Sequence, residues 1–297
     1  MLSGVARLKS QVSIVLVAPR YGGNVGASAR AMKTMGLQQL VLVAPHEHLT
    51  DEARWRSVHA EDVLTGARVT TTLTAAIADC VFVAGASARD RHLPLPAMTP
   101  RVAAAAIMAA SARGPVALLF GNEASGLSEA ELGRCHCQVR IPTVADYRSV
   151  NLAMAVQLLS YELRLAALDL GSDAAGSTLA LPTTRGLRPL ATSAALAQLL
   201  DHAERALVRI GFHDPHKPRL LLQRLRRLFG RARLEASEAH LLRGILVAVE
   251  RAASTVPDAD RPTGNRAADE EADEEADEAD GDNDGVRDGD RPDGQRP

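Results

Sequence analysis

The stretch VSIVLVAPRYGGNVGASARAMKTMG, residues 12–36, carries the strongest local signals in the chain. Six of its first seven residues are apolar, and four of these are β-branched, which predicts a buried strand. The small and apolar residues near 25–36 predict a helix. Three polar side chains, Asn24, Ser28 and Arg30, stand among the alanines and glycines of this segment. We therefore interpret the strand-to-helix junction as part of a binding or catalytic site.

Apolar runs alternate with helix-like segments along the first 168 residues. This alternation is typical of an α/β domain with a mostly parallel sheet, because each strand needs a crossover helix before the next parallel strand. The further predicted strands lie at 39–44, 80–86, 115–121 and 137–142, and the further predicted helices near 51–64, 99–112, 128–134 and 149–168.

The bulk composition favours a globular protein with more than one folded unit. The chain has 297 residues, 46% of them hydrophobic but only 3% aromatic, so its core must consist mainly of Ala, Val, Leu and Ile. The apolar run that ends before Pro19 is too short for a signal peptide or a membrane span. We expect a cytoplasmic protein with no membrane association.

Charge is segregated along the chain. Residues 258–297 contain 16 Asp or Glu and five Arg, a net charge of -11, which leaves 29 basic and 20 acidic residues and a net charge of +9 in residues 1–257. A basic body is typical of a protein that meets phosphate groups. The sequence therefore favours a nucleic-acid partner.

Composition divides the chain into four predicted parts. An α/β domain at 1–168 is followed by a linker at 169–187 that is rich in Gly, Ser, Ala and Thr. An arginine-dense helical region at 188–255 is predicted to bind RNA. An acidic tail at 256–297 lacks core-forming residues and is predicted to be disordered, either as a solubilising extension or as a weak competitor of RNA for the basic body.

The three cysteines are too few for a disulfide framework. Cys135 and Cys137 flank His136 and could supply metal ligands, but no second ligand pair follows at zinc-site spacing. We predict a strand with buried thiols and no bound metal.

Glycines between a strand and a helix also suggest a dinucleotide-binding fold. Gly22, Gly23 and Gly26 do not match the spacing of the G-x-G-x-x-G fingerprint. Glu47 lies where a ribose-binding acid could sit, yet it follows Pro45 and fits a loop equally well. The sequence disfavours a nicotinamide enzyme.

Two later segments also combine a strand or loop with polar residues at the start of a helix. In LLFGNEASGLSEAEL, 118–132, a strand runs into a glycine-flanked loop that contains Glu123, and a capped helix follows. In IPTVADYRSVNLAMAVQ, 141–157, we predict that Ser149 and Asn151 occupy the first turn of a helix, where free backbone N–H groups can bind a ligand.

Taken in order, GNVGASARAMKTMG, LLFGNEASGLS and SVNLAMAVQ resemble the three motifs of the SPOUT-class, TrmH-like RNA ribose 2′-O-methyltransferases. The stretch RRLFGRARLEASEAHLLRGILVAVE, 226–250, is similar to the branch that methylates cytidine or uridine 32 of the tRNA anticodon loop. The likeness covers roughly residues 1–253. The flanking segments APRYG and ADYRSV depart from that branch, which leaves the nucleotide preference open.

The resemblance implies a knotted (trefoil) SPOUT domain in an obligate homodimer that binds S-adenosyl-L-methionine and acts on tRNA. It also implies that Asn24 and Arg30 form the functional pair of the first motif, with Glu123 the acid of the second, and Ser149 and Asn151 in the third. The implied cofactor-binding residues are Gly85, Ala86, Ser87, Leu119, Gly121, Asn122, Glu123, Gly126, Ile141, Val150 and Asn151.

Arg30 is an unsuitable general base, because a guanidinium with a pKa above about 12 is effectively never neutral in a protein. We expect it to bind the adjacent phosphate and to stabilise the developing alkoxide, with Asn24 holding its orientation. Small residues around it would let the helix pack tightly against a partner subunit.

Two alternatives remain open. The arginines of the helical region suit a non-catalytic RNA-binding protein, and the same catalytic residues suit a methyltransferase of another RNA such as rRNA. The cluster consists of Arg224, Arg226, Arg227, Arg231 and Arg233.

Overall fold

A computed structural model describes residues 3–89, 95–170, 189–216 and 220–255. The strands are β1 (Val12–Val17), β2 (Gln39–Val43), β3 (Arg68–Thr70), β4 (Phe82–Ala86), β5 (Ala97–Met98), β6 (Val116–Phe120) and β7 (Cys137–Val139). The helices are α1 (Gly4–Gln11), α2 (Gly22–Met35), α3 (Asp51–Ser57), α4 (Glu61–Thr65), α5 (Leu73–Ile77), α6 (Pro100–Ala110), α7 (Glu129–Leu132), α8 (Leu152–Asp169), α9 (Ser193–Arg209), α10 (Leu221–Ala232) and α11 (Ala236–Thr255).

Within the described ranges the strands form one parallel sheet in the order β3-β2-β1-β6-β4-β7-β5. This confirms the predicted α/β class. Strand β1 lies between β2 and β6. The chain adds β2 and β3 on one side of β1, and the later strands β4 to β7 lie on the other side. Ligands of open parallel sheets bind at such a point, beyond the carboxyl ends of the strands. The trefoil knot stays a prediction.

Both faces of the sheet are covered, as expected for parallel strands. Along β1, Ile14 and Leu16 belong to a core cluster shared with α2, α6 and α8, whereas Val15 and Val17 belong to a second cluster with α5. The side chains of a strand alternate between faces, so a continuous apolar run is what burial on both faces requires.

Helix α2 begins at Gly22, about one turn before its predicted start, so Asn24 lies in its first turn. The glycines of this turn allow close packing of α3. A Cβ atom at Gly26 would collide with the backbone carbonyl of Ala53, which is itself fully buried. The glycine-rich appearance of this segment therefore reflects helix packing rather than a phosphate-binding loop.

Other boundaries also differ from the sequence predictions. The helix predicted at 51–64 is two helices, because Val58 and His59 have positive φ angles of 26° and 61° and interrupt it. The long helix begins at Leu152 with Asn151 as its N-cap, so Ser149 precedes the helix instead of lying in its first turn. The predicted cap of α7 is confirmed as a reciprocal capping box between Ser128 and Glu131. Helices α1 and α5 and the short strands β3 and β5 were not predicted.

Helices α9–α11 form a small unit with its own buried cluster, and this unit packs against the amino-terminal edge of the sheet. The backbone N–H of Ser193 donates to the carbonyl of Cys80 over 2.9 Å, and the Arg233 guanidinium lies 5.2 Å from the centre of the Phe82 ring. The unit therefore lies at the end of β4 opposite to the strand's carboxyl end. Most of the predicted linker and the whole predicted tail at 256–297 fall outside the described residues.

None of the helices in the part of the chain that the structure describes is long and apolar enough to cross a bilayer.

The contact of Gly26 with Ala53 can be tested by Gly26→Ala. We expect this change to lower the free energy of unfolding by about 1–3 kcal/mol, because the added methyl group forces α2 and α3 apart. The matched control is Gly244→Ala in α11, where a Cβ atom meets nothing within 4 Å; it should raise stability by about 0.5–1 kcal/mol through the lower entropy of the unfolded chain. Urea unfolding of the three proteins measures both effects, and equal stability of Gly26→Ala and the parent would contradict the packing argument.

Candidate active site

Three side chains from distant parts of the chain are joined by hydrogen bonds at the carboxyl edge of the sheet. Asn24 Nδ2, in the first turn of α2, donates to Glu123 Oε1 after β6 over 2.9 Å. Asn151 Nδ2, at the start of α8, donates to Asn24 Oδ1 over 3.2 Å. We call Glu123, Asn24 and Asn151 the relay. It connects the three segments that the sequence analysis singled out.

Glu123 also occupies the amino end of α2, where the helix has no side-chain cap of its own. Its carboxylate accepts from the backbone N–H groups of Arg20 and Tyr21 over 2.9 and 3.3 Å. A negative charge is favourable there because the helix dipole is positive at this end. Partial burial raises the pKa of Glu123, but the hydrogen bonds from Asn24, Arg20 and Tyr21 outweigh it, so the pKa of the carboxyl is lowered overall. The residue is a carboxylate at neutral pH.

Asn151 is held by the helix that it caps. Its Oδ1 accepts from the backbone N–H groups of Ala153 and Met154 over 3.0 and 3.4 Å. Since the oxygen is used by the helix, only the Nδ2 group can reach Asn24, and this fixes which way both amides point. The relay therefore has a single consistent pattern of donors and acceptors.

The loop that carries Glu123 has little conformational freedom. Asn122 Oδ1 accepts from the backbone N–H groups of Ala124 and Ser125 over 3.0 and 2.8 Å. Gly126 has a φ of 67°, and a Cβ atom at Gly121 would collide with the backbone of Gly126. The close approach of the backbone excludes a side chain at Gly121, whereas at Gly126 the left-handed backbone conformation favours glycine.

A first cleft of about 560 Å³ opens beyond the ends of β4, β6 and β7. Loop residues and the segment before α8 line it, and Arg89, Ser125 and Arg148 lie beside the residues that sequence reasoning had selected. The predicted site residues that line this cleft are Ala86, Ser87, Gly121, Asn122, Glu123, Gly126, Ile141, Ser149 and Val150.

Two predicted cofactor residues, Gly85 and Leu119, lie outside the lining of the first cleft. Leu119 is fully buried in the second core cluster. A Cβ atom at Gly85 would approach Cys135 Sγ to 2.8 Å and Leu132 Cδ2 to 2.9 Å, so this glycine permits packing of the sheet against the segment around α7. Asn151, also predicted to bind the cofactor, faces a different cleft.

A second, wider cleft of about 1050 Å³ lies on the other side of the relay. Arg30, Asn24 and Asn151 line it, together with Trp55 and Arg56 of α3. Arg30 is exposed, and its guanidinium has no hydrogen-bond or ion-pair partner among the described residues. Sequence reasoning missed Trp55, although it is the single tryptophan of the chain.

The structure does not join Asn24 to Arg30, contrary to the prediction that Asn24 orients the guanidinium. Arg30 lies six positions after Asn24 on α2, which at about 100° per residue turns the two side chains well apart. Asn24 instead uses its amide for Glu123 and Asn151. Ser28 was the third polar residue of this segment, and it is fully buried and lines neither cleft.

The two clefts share a wall. Val150 lines both of them, and Glu123 of the first cleft is hydrogen bonded to Asn24 of the second. A small molecule in the first cleft and a second reactant in the other would therefore meet at the relay. Such an arrangement suits the transfer of a group between two bound molecules.

The cysteines lie away from both clefts. All three are buried, and burial raises the pKa of the Cys80 and Cys137 thiols to about 12, so they stay protonated. Burial also lowers the pKa of His136 to about 4, and its Nδ1 accepts from the backbone N–H of Val83. Across the described ranges no cluster of three or more His, Cys, Asp or Glu side chains could hold a metal ion.

Comparison with known families gives two matches along the chain. Residues 11–161 match the SpoU rRNA Methylase family, and residues 194–258 match the C-terminal domain of the tRNA methyltransferase TrmJ. The first match spans the sheet and both clefts, and the second spans most of the helical unit.

Individual relatives agree with these matches. The chain is similar to a tRNA (cytidine/uridine/adenosine-2′-O-)-methyltransferase TrmJ of Pseudomonas aeruginosa, with 43% identity over 82% of this chain and 95% of the relative. It is also similar to the crystal structure of TrmJ from Z. mobilis, with a TM-score of 0.67 and 31% identity. That match covers 80% of this chain and 98% of the Z. mobilis chain. The structure of a probable methylase family protein from Haemophilus influenzae gives a TM-score of 0.53 and 38% identity, and the match covers 86% of this chain and 99% of that chain.

The charge on Glu123 predicts a pH-dependent contribution to stability. Because its pKa is lowered in the folded state, its contribution is complete above the ordinary value of 4.5 and is lost as the pH falls through the folded value. The stability difference between the parent and Glu123→Gln should therefore be large at pH 7 and shrink below about pH 4.5. Urea midpoints from pH 3 to 7 measure it, with the exposed Glu47→Gln as control. If the stability difference between the parent and Glu123→Gln stayed constant with pH, Glu123 would not be the stabilising carboxylate that its hydrogen bonds indicate.

Proposed function

Because the chain belongs to the SpoU rRNA Methylase family, we propose that it transfers the methyl group of S-adenosyl-L-methionine to a ribose 2′-hydroxyl of tRNA. The observation that carries this proposal is the relay with a cleft on either side of it. The first cleft would hold the methyl donor and the second the nucleotide. The 2′-hydroxyl and the methyl group would meet where Val150 lines both clefts.

The first cleft suits a cofactor of this kind. Its volume of about 560 Å³ lies in the range of small-molecule sites, and it combines apolar side chains such as Ile141 with hydroxyl groups such as Ser87. Arg89 and Arg148 offer cationic groups to a carboxylate. Bound S-adenosyl-L-methionine would supply an electrophilic methyl group on a sulfonium sulfur.

Arg30 is the group that we assign to the nucleotide. In the proposed reaction the 2′-oxygen would form a bond to the methyl carbon, the carbon–sulfur bond would break, and the hydroxyl proton would leave to solvent. Arg30 has no partner among the described side chains, so its guanidinium is available for the adjacent phosphate and for the charge that develops on the 2′-oxygen. It cannot take the proton, because a guanidinium is effectively never neutral in a protein.

The relay would contribute orientation rather than proton transfer. Glu123 is occupied by three N–H donors and Asn151 by the start of α8. Asn24 thus has a fixed amide at the border of the second cleft, where it can position the ribose relative to the first cleft. Methyl transfer depends strongly on such alignment, since the reacting atoms must lie in line.

The choice of tRNA as substrate rests on the curated relatives and on the helical unit. The two TrmJ relatives from Pseudomonas aeruginosa and Sodalis glossinidius are named as tRNA 2′-O-methyltransferases, and each is covered over more than nine-tenths of its length. Their names differ in whether adenosine is included. Nucleotide 32 is the position that the sequence resemblance suggests for this chain.

The helical unit would bind tRNA away from the reacting nucleotide. Arg224 and Arg231 of α10 are exposed. The unit lies at the amino-terminal edge of the sheet, whereas both clefts lie at or beside the carboxyl edge. Arg224 and Arg231 would therefore contact phosphates elsewhere on the tRNA and contribute affinity rather than chemistry.

We also propose a homodimer, on grounds that differ from the sequence argument. Ala29 of α2 and Ala155 of α8 are not free for a partner, because both are buried in the core of their own chain. The exposed apolar side chains of α8, Met154, Leu158 and Tyr161, offer a surface for a second subunit instead. Because Met154 and Leu158 also line the second cleft, the partner would border the nucleotide site.

Replacement of Arg30 tests the proposed function. We expect Arg30→Ala to lower the rate of methyl transfer to tRNA by at least about 100-fold, the cost of losing a group that stabilises developing charge. Binding of S-adenosyl-L-methionine should be unchanged, because Arg30 does not line the first cleft. Transfer of a radiolabelled methyl group and calorimetric titration with the cofactor measure the two properties.

The matched control for Arg30 is Arg54→Ala, since Arg54 is exposed on α3 but lines neither cleft. The control should retain full activity. Near-normal turnover of Arg30→Ala would overturn the assignment of Arg30, and an absence of cofactor binding in the parent protein would overturn the proposed function itself.

A further inference from the structure

Trp55 is the most unusual apolar side chain on the surface. It is the single tryptophan of the chain, and 76% of its surface is exposed. A large aromatic residue left in water forgoes the stabilisation that burial would give it. Trp55 lines the second cleft together with Arg30. Its exposure therefore occurs at the place where a second reactant would bind.

The helix that carries Trp55 is held firmly against α2. Thr50 Oγ1 caps α3 by accepting from the backbone N–H of Ala53 over 3.2 Å. Ala53 and Ser57 are fully buried, with the Ala53 carbonyl packed where Gly26 has no side chain. Trp55 lies between these two buried positions and projects from the opposite side of the helix. Its indole is thus presented on a rigid support.

The chemistry around Trp55 favours a nucleotide over a protein surface. Arg30 is a cation without a partner among the described residues, and Arg56 pairs with Glu52 over 2.9 Å. The amides of Asn24 and Gln157 line the same cleft. Protein–protein interfaces are poor in charged groups at their centres. An unpaired guanidinium in the same cleft as an exposed indole matches the phosphate and the base of a nucleic acid.

We propose that Trp55 is a stacking platform for a base of the RNA substrate, adjoining the ribose whose phosphate Arg30 binds. This inference rests on the proposed function, because it assigns the same cleft to RNA. Bases stack on aromatic side chains whatever their hydrogen-bonding edges, so Trp55 holds the unpaired nucleotide in place without selecting its identity. The stack makes the cleft prefer single-stranded loops, whose bases can leave their neighbours.

The fluorescence of Trp55 reports directly on binding at this site, since the chain has no other tryptophan. We expect the fluorescence of the full-length protein to be quenched on titration with an unmodified tRNA transcript. Trp55→Leu should weaken binding of the transcript and raise KM about 5- to 150-fold, the effect of one base–aromatic stack. The value of kcat should change little, because stacking is present in both the ground state and the transition state.

Trp55→Phe is the matched control, because it keeps an aromatic face and should restore most of the affinity. Calorimetric titration with S-adenosyl-L-methionine and sedimentation should give the same values for all three proteins. Equal tRNA affinity of Trp55→Leu and the parent would overturn the proposal, as would loss of affinity that accompanies a change in sedimenting mass. The binding and quenching measurements need no methyl transfer, so the stack can fail or succeed independently of the proposed activity.

Discussion

The hydrogen bonds between Glu123, Asn24 and Asn151 hold together segments that lie 99 and 127 residues apart in the chain. The sheet brings the loop after β1 next to the loop after β6, because these two strands are neighbours. Strand pairing alone does not fix where those loops end. The relay fixes their positions, since it joins the start of α2 and the loop after β6 to the start of α8. The common wall of the two clefts depends on this arrangement.

The residue types of the relay follow from its position. A carboxylate at Glu123 can accept three N–H groups at once and is favoured by the amino end of α2. An amide at Asn24 is needed because it must donate to an acid and accept from another amide. A hydrogen bond to a charged group contributes about 1.5–3 kcal/mol, and less where solvent reaches it. The relay is therefore intolerant of substitutions that alter its donors and acceptors.

Much of this architecture can be predicted from the sequence, and the exceptions have physical causes. The long strands such as β1 and β6 are continuous apolar runs, which parallel burial on both faces requires. Strand β3 is only three residues long and largely exposed, so it leaves no such signal. Asn24, Glu123 and Asn151 were selected one by one from their positions beside glycines and helix starts. Their mutual hydrogen bonds could not be predicted, because local patterns do not contain the order of the strands.

The roles of Gly26 and Trp55 were hidden for a related reason. Gly26 looked like part of a ligand-binding loop, but its partner, Ala53, is 27 residues further along the chain. The exposure of Trp55 depends on the same packing of α3 on α2. The sequence thus indicates which residues form the site, whereas long-range packing decides what each of them contacts.

A double-mutant cycle on Asn24→Ala and Asn151→Ala, with methyl transfer to tRNA as the readout, tests the relay most directly. If the two amides act as one unit, each single change should cause nearly the same loss of rate, and the double variant should be scarcely worse than either. Losses that multiply in the double variant would contradict the account, because they would mean that Asn24 and Asn151 act independently.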